Sequence, residues 1–482
     1  MDDIYPGGRV GPGDPRYEAL VRGFNLRWVG RPAEIALCGS AGQVRDVVQE
    51  AVDRNSRVTV RSGGHCYENF AVHNEGGVIV DMAPMSRVYR DEARGYCIEA
   101  GATLWNVIWT LYKEYGCALP GGSCYSVGAG GHITGGGYGL LSRKYGLVVD
   151  WLTAVEIAVV DGDGRARVVI AEKEGEGADL LWACQGGGGG NFGIVTRFWF
   201  KELPPAPAEA WLANLAWNWS DMTEVEFGRL IDRYGTFLAA NSAPGSPYDG
   251  LFALLHLSHK GASQIVLTAQ YVGDQPKRLS DFILHMTADG PAAVAQTHPV
   301  GQNYFPLRTA AVQRLPWLYA TQTLDPSGAN QRGKYKSAYM KRPFEAREMA
   351  VLWKYLTDGF MNPQALLQVD SYGCAVNAVA SEATAIPQRS SIMKLQYQTY
   401  WTTEAESEAN LDWIRGLYAE MYGREGPLPD DGLDGCYVNY PDCDLKDWRR
   451  LYYPGAYERL QRVKAAWDPR DIFNHAQSVR LP

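Results

Sequence analysis

The chain has 482 residues, of which 46% are hydrophobic and 21% charged, the composition of a soluble globular protein with two or three domains. A net charge of −8 argues against nucleic acid or an anionic membrane as partner, and nine cysteines without a Cys-x-x-Cys pair argue against a disulfide framework or zinc ribbon. No apolar run approaches the ~18 residues of a membrane helix and the N-terminus lacks a signal-peptide pattern, so a cytoplasmic enzyme is expected.

The first elements lead into a short glycine loop. Residues 24–29 are compatible with a strand, and Ser40 begins a helix with a valine stripe that ends before Asn55. Residues 58–60 then alternate as a strand. The loop that follows contains Arg61, Ser62, Gly63, Gly64 and His65, and it lies at a strand end, where α/β folds commonly place ligand-binding groups.

The densest glycine stretch covers residues 121–139, with nine glycines in nineteen residues. It follows a predicted helix that begins after Thr103 and ends at Gly116. Such a run is incompatible with a helix or a strand interior, so its backbone is expected to lie against a ligand. The side chains in it that can do chemistry are Cys124, Tyr125, His132 and Tyr138.

A third glycine loop spans residues 186–193, between an apolar stretch and a predicted strand at 194–200. It lacks the Gly-Lys-Ser/Thr ending of a nucleotide phosphate loop, which argues against an NTPase. It also lacks the strand, helix and acidic-residue context of a Rossmann NAD site. Before it, residues 161–164 predict a hairpin turn between strands.

The composition changes after residues 203–207, a proline-rich linker candidate. Thr223 and Glu226 form a capping-box pattern at the start of a helix. Strands are predicted at 251–257 and 265–271, and helices near 279–286 and 343–357. Strands beside helices without a βαβ repeat indicate an α+β domain.

Together the three glycine stretches resemble the FAD-binding half of the berberine-bridge-enzyme-like flavin oxidases, and within that family the bacterial glycopeptide hexose oxidases. The resemblance implies covalent FAD, bonded at the flavin 8α-methyl by His65 and at the flavin 6 position by Cys124. After the cysteine the family often has Pro-Thr, where this chain has Tyr125 and Ser126. The implied fold is α+β with two domains: a discontinuous FAD-binding domain (1–202, joined by 437–482) and a substrate domain (203–436) built on an antiparallel sheet.

The same resemblance predicts the residues around the cofactor. His132 either hydrogen-bonds backbone or donates to the flavin N1/O2 edge, where negative charge develops, and the sequence leaves both open. A metal site made of His65, Cys66 and His132 lacks zinc-ligand spacing, so no metal is predicted. The predicted cofactor-binding residues besides His65, Cys124 and His132 are Arg61, Ser62, Gly63, Gly64, Gly121, Gly122, Val127, Gly128, Gly131, Gly135, Gly136, Gly190, Asn191, Phe192, Gly193 and Val195.

Four residues are predicted to be catalytic. Removing hydride from an alcohol carbon requires a base for the hydroxyl proton, and a phenol with a pKa of ~10 needs surroundings that favour phenolate. The resemblance assigns the base to Tyr437, its positioning to Asn439, and a partner role to Tyr138. Asp370 matches an acid that helps one sugar-oxidising branch activate its tyrosine. The structural alternative is an aromatic residue or a capped carboxylate in a domain interface.

The sequence therefore predicts an FAD-dependent oxidase that removes hydride from an alcohol carbon of a sugar on a natural product and is reoxidised by O2 to give hydrogen peroxide. Three alternatives remain at this point. One is an oxidase of a non-sugar secondary-metabolite alcohol, a second is a dehydrogenase that passes electrons to a protein partner, and a third is a metabolite-binding protein in which flavin is only structural.

Overall fold

The computed structural model describes residues 6–297 and 312–482. The prediction that the N-terminus is not a signal peptide rests partly on residues 1–5, which lie outside the described residues. The strands are β1 Gly8–Val10, β2 Glu34–Leu37, β3 Val58–Arg61, β4 Val78–Asp81, β5 Val88–Asp91, β6 Gly95–Glu99, β7 Ala154–Val160, β8 Ala166–Glu172, β9 Ile194–Phe200, β10 Glu209–Asn218, β11 Leu251–Ser258, β12 Gln264–Tyr271, β13 Gln313–Pro316, β14 Arg332–Met340, β15 Leu366–Ser371 and β16 Met393–Trp401.

The helices are distributed between and after these strands. They are α1 Tyr17–Leu20, α2 Ala41–Asp53, α3 Leu104–Tyr115, α4 Ala129–Thr134, α5 Ser142–Tyr145, α6 Val148–Trp151, α7 Ala178–Cys184, α8 Glu224–Asn241, α9 Lys277–Thr287, α10 Trp317–Thr323, α11 Ala346–Leu356, α12 Ser407–Tyr422, α13 Trp448–Tyr452 and α14 Tyr457–Trp467. Within the described ranges, none of these helices is both long and apolar enough to cross a membrane.

A four-stranded sheet in the order β1-β2-β4-β3 carries the first glycine loop at the end of β3. Its strands β2, β4 and β3 are parallel. Helix α2 connects β2 and β3, and it starts where the Ser40 hydroxyl accepts a hydrogen bond from the Gln43 amide at 3.3 Å. The valine stripe of this helix is buried.

An antiparallel five-stranded sheet in the order β5-β6-β9-β7-β8 supports the other two glycine loops. The predicted hairpin joins β7 and β8, because the Asp161 carboxylate accepts from the amides of Asp163 and Arg165 at 3.0 and 2.9 Å. Strand β9 begins directly after the third glycine loop. Helix α3 is capped by Thr103 and ends at Gly116, whose φ of +66° is one that glycine adopts without strain.

The largest sheet has seven antiparallel strands in the order β13-β10-β12-β11-β15-β16-β14. Helices α8, α9, α11 and α12 pack together on one face of it. The predicted capping box is present at the start of α8, where the Thr223 hydroxyl accepts from the Glu226 amide at 3.3 Å. This sheet confirms the α+β class and the antiparallel sheet predicted for the second half of the chain.

Two local predictions were wrong. Residues 24–29 form no strand, and Asn25 and Val29 make only isolated bridges. The reason is that the Asn25 side-chain amide donates hydrogen bonds to the carbonyls of Tyr67 and Gly333 at 2.7 and 3.0 Å. The stretch 121–139 does contain a helix, α4. This helix is only six residues long; a Cβ on its Gly130 would lie 2.9 Å from the Ala100 carbonyl oxygen, and its Gly131 borders the cavity described below.

The C-terminal segment contacts the third glycine loop. The Tyr453 hydroxyl donates to the Gly187 carbonyl at 2.9 Å, and the buried Lys464 ammonium donates to the Asn191 carbonyl at 2.8 Å.

A salt bridge of 2.7 Å between Arg389 and Asp150 links the segment after β15 to helix α6. The domain boundaries at 202 and 436 stay predictions.

Candidate active site

A cavity of about 410 Å³ lies between the three glycine loops and the open face of the seven-stranded sheet. We call residues 61–66, 122–132 and 188–193 the loop wall. The sheet wall consists of side chains from three neighbouring strands, β11, β15 and β16: Leu254, Gln368, Asp370, Gln396 and Gln398. The two walls approach each other near Tyr437 and Asn439, which also line the cavity.

Glycine in the loop wall lets backbone contact backbone. A Cβ on Gly63 would lie 2.3 Å from the Gly128 nitrogen, so the first and second loops meet where a side chain has no room. The Ser62 hydroxyl fastens this junction by donating to the Ala100 carbonyl at 2.6 Å. By contrast, a Cβ on Gly131 would meet nothing within 4 Å. Backbone at Gly131 therefore borders open cavity, the surface that a flat or phosphorylated cofactor requires.

The third loop is fixed mainly through Asn191. Its side-chain amide donates to the Gly187 carbonyl at 2.8 Å, and its side-chain oxygen accepts from the Val479 amide at 2.8 Å. Gly190, Gly193 and Val195 border the cavity as well. Phe192 does not, because its ring is buried in the core.

The His65 imidazole and the Cys124 thiol both line the cavity. The imidazole stacks on Phe24 with ring centres 4.3 Å apart, and its Nε2 lies 3.0 Å from the Ser126 hydroxyl. Burial lowers the pKa of His65 to about 4, so the ring is neutral near pH 7 and can act as a nucleophile. Burial raises the pKa of the Cys124 thiol, against a hydrogen bond from Ser327, 3.3 Å from the sulfur, that lowers it.

His132 lines the cavity and makes the backbone hydrogen bond that the sequence left open. Its Nε2 accepts from the Gly122 amide at 3.0 Å, which places the imidazole proton on Nδ1. Burial and the nearby Lys394 lower the pKa of His132 to about 4, so the ring is neutral. A Cβ on Gly121 would lie 3.1 Å from this ring, and Gly121 itself packs beneath the cavity without bordering it.

Tyr437 and Asn439 form a hydrogen-bonded pair at the cavity. The Asn439 side-chain amide donates to the Tyr437 hydroxyl at 3.1 Å and to the His132 carbonyl at 3.1 Å. Gly135 lies behind this amide and outside the cavity, and a Cβ there would be 2.0 Å from the Asn439 oxygen. The pair and the second glycine loop therefore depend on each other for position.

Tyr138 lies beside the sheet wall with its hydroxyl engaged. The hydroxyl donates to the Ser371 carbonyl, and burial raises the pKa of Tyr138 well above its ordinary value. Both features favour the neutral phenol. The neighbouring Gly136 has a φ of +115° and packs against Ile386 outside the cavity.

A buried lysine that the sequence analysis did not single out lies behind Tyr437. The Lys394 ammonium pairs with the Asp370 carboxylate at 2.6 Å and donates to the Tyr440 hydroxyl at 2.9 Å. It lies 4.7 Å from the ring centre of Tyr138 and 5.6 Å from that of Tyr437. Burial raises the pKa of Tyr437, and the positive charge of Lys394 acts against that rise.

The three glutamines of the sheet wall were also missed. The Gln368 amide donates to Asp370 at 2.7 Å, the Gln398 amide donates to the Gln368 oxygen at 3.2 Å, and the Gln396 amide donates to the Tyr67 hydroxyl at 2.9 Å. A signal was available, since polar residues 394, 396 and 398 alternate with apolar ones along a strand whose two faces are buried. Within residues 6–297 and 312–482, no three His, Cys, Asp or Glu side chains converge to hold a metal ion.

Comparison with known proteins gives two family matches. Residues 32–169 match the FAD binding domain model, and residues 436–480 match the model described as berberine and berberine like. The aclacinomycin-N/aclacinomycin-A oxidase of Streptomyces galilaeus is 41% identical over 97% of this chain and 89% of its own length. The hexose oxidase of Chondrus crispus is 37% identical over 97% of this chain and 93% of its own.

Solved structures agree with these matches. A glycopeptide hexose oxidase complexed with teicoplanin is 37% identical, covers 99% of both chains and superposes with a TM-score of 0.91. The cavity fits FAD, because glycine backbone at Gly131 borders open space in one wall and the nucleophiles His65 and Cys124 line the cavity. The chain belongs to the berberine-bridge-enzyme-like family and is an FAD-linked oxidoreductase.

Proposed function

We propose that this protein oxidises an alcohol carbon of a sugar carried on a natural product, with FAD bonded to His65 and Cys124 and with O2 as the electron acceptor. Its relatives include an aclacinomycin oxidase and a hexose oxidase, and a similar glycopeptide hexose oxidase is solved in complex with teicoplanin. When bound, FAD supplies the hydride acceptor and passes the electrons to O2, which leaves as hydrogen peroxide.

The observation that carries the proposal is the surroundings of the Tyr437 hydroxyl. It borders the cavity, accepts from the Asn439 amide at 3.1 Å, and has the Lys394 ammonium 5.6 Å from its ring centre. A donated hydrogen bond and a nearby cation both stabilise phenolate. Tyr437 then accepts the substrate hydroxyl proton as hydride leaves the adjoining carbon.

Tyr138 and Asp370 take supporting parts in this proposal. Tyr138 is held neutral by its bond to Ser371, so it shapes the cavity and flanks the ammonium group of Lys394. Asp370 holds the Lys394 ammonium in place by pairing with it at 2.6 Å. Both residues act on the proton acceptor through Lys394.

The sheet wall favours a sugar as the oxidised group. Amides of Gln368, Gln396 and Gln398 offer donors and acceptors that match a ring of hydroxyls, and Tyr67 and Tyr335 stack at 3.5 Å beside them. The second candidate is an alcohol of a non-sugar secondary metabolite. The same aromatic pair supports it, because stacked rings at a cavity wall bind flat apolar groups.

Peroxide release tests the proposal. The purified protein is mixed with D-glucose, aclacinomycin N and teicoplanin in air, and hydrogen peroxide and oxidised product are measured together. We expect equal amounts of both with at least one sugar-bearing probe, and no product with Tyr437→Phe beyond a trace. Flavin that a probe reduces without air but that releases no peroxide in air would indicate a dehydrogenase, and flavin that no probe reduces without air would contradict an alcohol oxidase of these classes.

A further inference from the structure

Two serine hydroxyls bridge the residues proposed to bind FAD covalently. The Ser126 hydroxyl lies 3.0 Å from His65 Nε2, and the Ser327 hydroxyl lies 3.3 Å from Cys124 Sγ. The two hydroxyls are 3.4 Å apart. A continuous chain of four polar groups therefore connects the imidazole to the thiol, although they come from different glycine loops.

The direction of this chain follows from its donors. The Ser126 amide and the Ser126 hydroxyl both donate to the Ser327 oxygen, at 3.3 and 3.4 Å. The proton of Ser327 is then available to Cys124 Sγ, while the lone pairs of Ser126 are available to an N–H at His65 Nε2. With the imidazole proton on Nε2, each hydrogen bond in the chain points from His65 toward Cys124.

This direction of the hydrogen bonds favours the nucleophilic form of both His65 and Cys124. With its proton on Nε2, His65 presents an Nδ1 lone pair, and stacking on Phe24 at 4.3 Å fixes the ring plane. A hydroxyl donated to sulfur stabilises thiolate, and the hydrogen bond from Ser327 lowers the pKa of Cys124 against its burial. Positive charge that develops on the imidazole during attack is shared with Ser126.

The segment that carries Ser327 makes further hydrogen bonds to the second glycine loop. The Asp325 carboxylate accepts from the Tyr125 amide at 3.0 Å and from the Ser327 amide at 2.9 Å. The Tyr125 hydroxyl lies 2.9 Å from that of Thr321. The residues after α10 are therefore held in register with Cys124, and Ser327 is fixed where it meets the thiol.

We propose that Ser126 and Ser327 are positioning residues for covalent attachment of FAD, Ser126 through His65 and Ser327 through Cys124. The inference rests on the proposed covalent flavin. At each attachment one flavin C–H bond and one N–H or S–H bond are lost and one N–C or S–C bond forms. The two electrons and two protons pass to O2, which is reduced to hydrogen peroxide.

Timed attachment tests the inference. Full-length protein from riboflavin-limited cells is incubated with FAD in air, quenched in acid and digested. The masses of the peptides that contain His65 and Cys124 then show how much flavin is bound at each. We expect Ser126→Ala to slow attachment at His65 by about 3- to 10-fold, the value of one hydrogen bond, and Ser327→Ala to do the same at Cys124. Ser126→Thr, which keeps the hydroxyl, should restore the wild-type rate, and the exposed Ser381→Ala should not change it.

A second measurement, made before FAD is added, keeps the inference testable if a variant folds poorly. Alkylation of Cys124 by iodoacetamide before FAD is added should be slower in Ser327→Ala, because its thiol loses a donor that favours thiolate. Equal attachment rates in wild type, Ser126→Ala and Ser327→Ala would overturn the inference. Absence of bound flavin in the wild type would instead overturn the proposed covalent attachment itself.

Discussion

The two walls of the cavity are built by opposite means. The loop wall depends on backbone, because Gly63 and Gly128 let two loops meet directly and Gly131 leaves no side chain between chain and cavity. The sheet wall exposes side chains, because alternate residues of β15 and β16 point to one face. The loop wall therefore suits a large cofactor common to many enzymes, whereas the sheet wall can change residue by residue with the substrate.

The largest effect is expected where the walls meet. Tyr437→Phe keeps the ring and removes the proton acceptor, so the rate of flavin reduction by substrate should fall about 10²- to 10⁴-fold while bound flavin is unchanged. Rapid mixing without air measures this rate. Tyr440→Phe is the matched control, since it touches Lys394 and keeps Tyr437. A loss below about tenfold in Tyr437→Phe would remove the proposed base.

The sheet wall is expected to be sensitive to charge. Asp370→Asn leaves the fully buried Lys394 without its carboxylate, so the free energy of unfolding should fall by about 3–5 kcal/mol. Urea unfolding measures the change. The double variant Asp370→Asn, Lys394→Met removes both charges and should recover much of the loss. If the double variant is no more stable than the single one, the pair is not the cause.

In the loop wall we expect the volume of an added side chain, and not a change of charge, to alter stability or FAD binding. Gly63→Ala forces a Cβ to within 2.3 Å of the Gly128 nitrogen, and we expect it to cost about 1–3 kcal/mol of folding free energy. Gly131→Ala meets no atom within 4 Å, so it should keep the stability of the protein without flavin and weaken FAD binding. Unfolding of both variants, and flavin titration of each in a His65→Ala, Cys124→Ala background where FAD binds reversibly, separate the two effects. Tight FAD binding by Gly131→Ala would contradict a cofactor at this backbone.

The smallest effect concerns pH. Burial and Lys394 lower the pKa of His132 to about 4 in the folded protein, so protons favour the unfolded chain as the pH falls below the ordinary value of about 6.5. His132 should therefore contribute a stability loss of about 1 kcal/mol between pH 7 and pH 5.5. His132→Gln, which keeps an acceptor for the Gly122 amide, should show a flatter profile by that amount. An unchanged profile would mean that His132 does not titrate on unfolding.

The walls also differ in how far the sequence predicts them. Local signals defined the loop wall, because capping at Thr103, the end of α3 at Gly116 and the three glycine stretches each lie in one short segment. The sheet wall depends on which strands become neighbours, and the pairing of β15 with β16 is not encoded in either strand alone. Lys394 was missed for this reason, although the alternating polar residues of β16 were visible. Residues 24–29 were mistaken for a strand because the tertiary hydrogen bonds of Asn25 decide their path.

The most direct test of the central claim is whether flavin stays with the chain. Wild type, His65→Ala, Cys124→Ala and the double variant are denatured in acid and filtered, and the absorption spectrum and mass of the protein are recorded. We predict a yellow protein heavier by one FAD in the wild type and in each single variant, and complete release of flavin in the double variant. Release of all flavin from the denatured wild type, or retention in the double variant, would contradict covalent binding through His65 and Cys124.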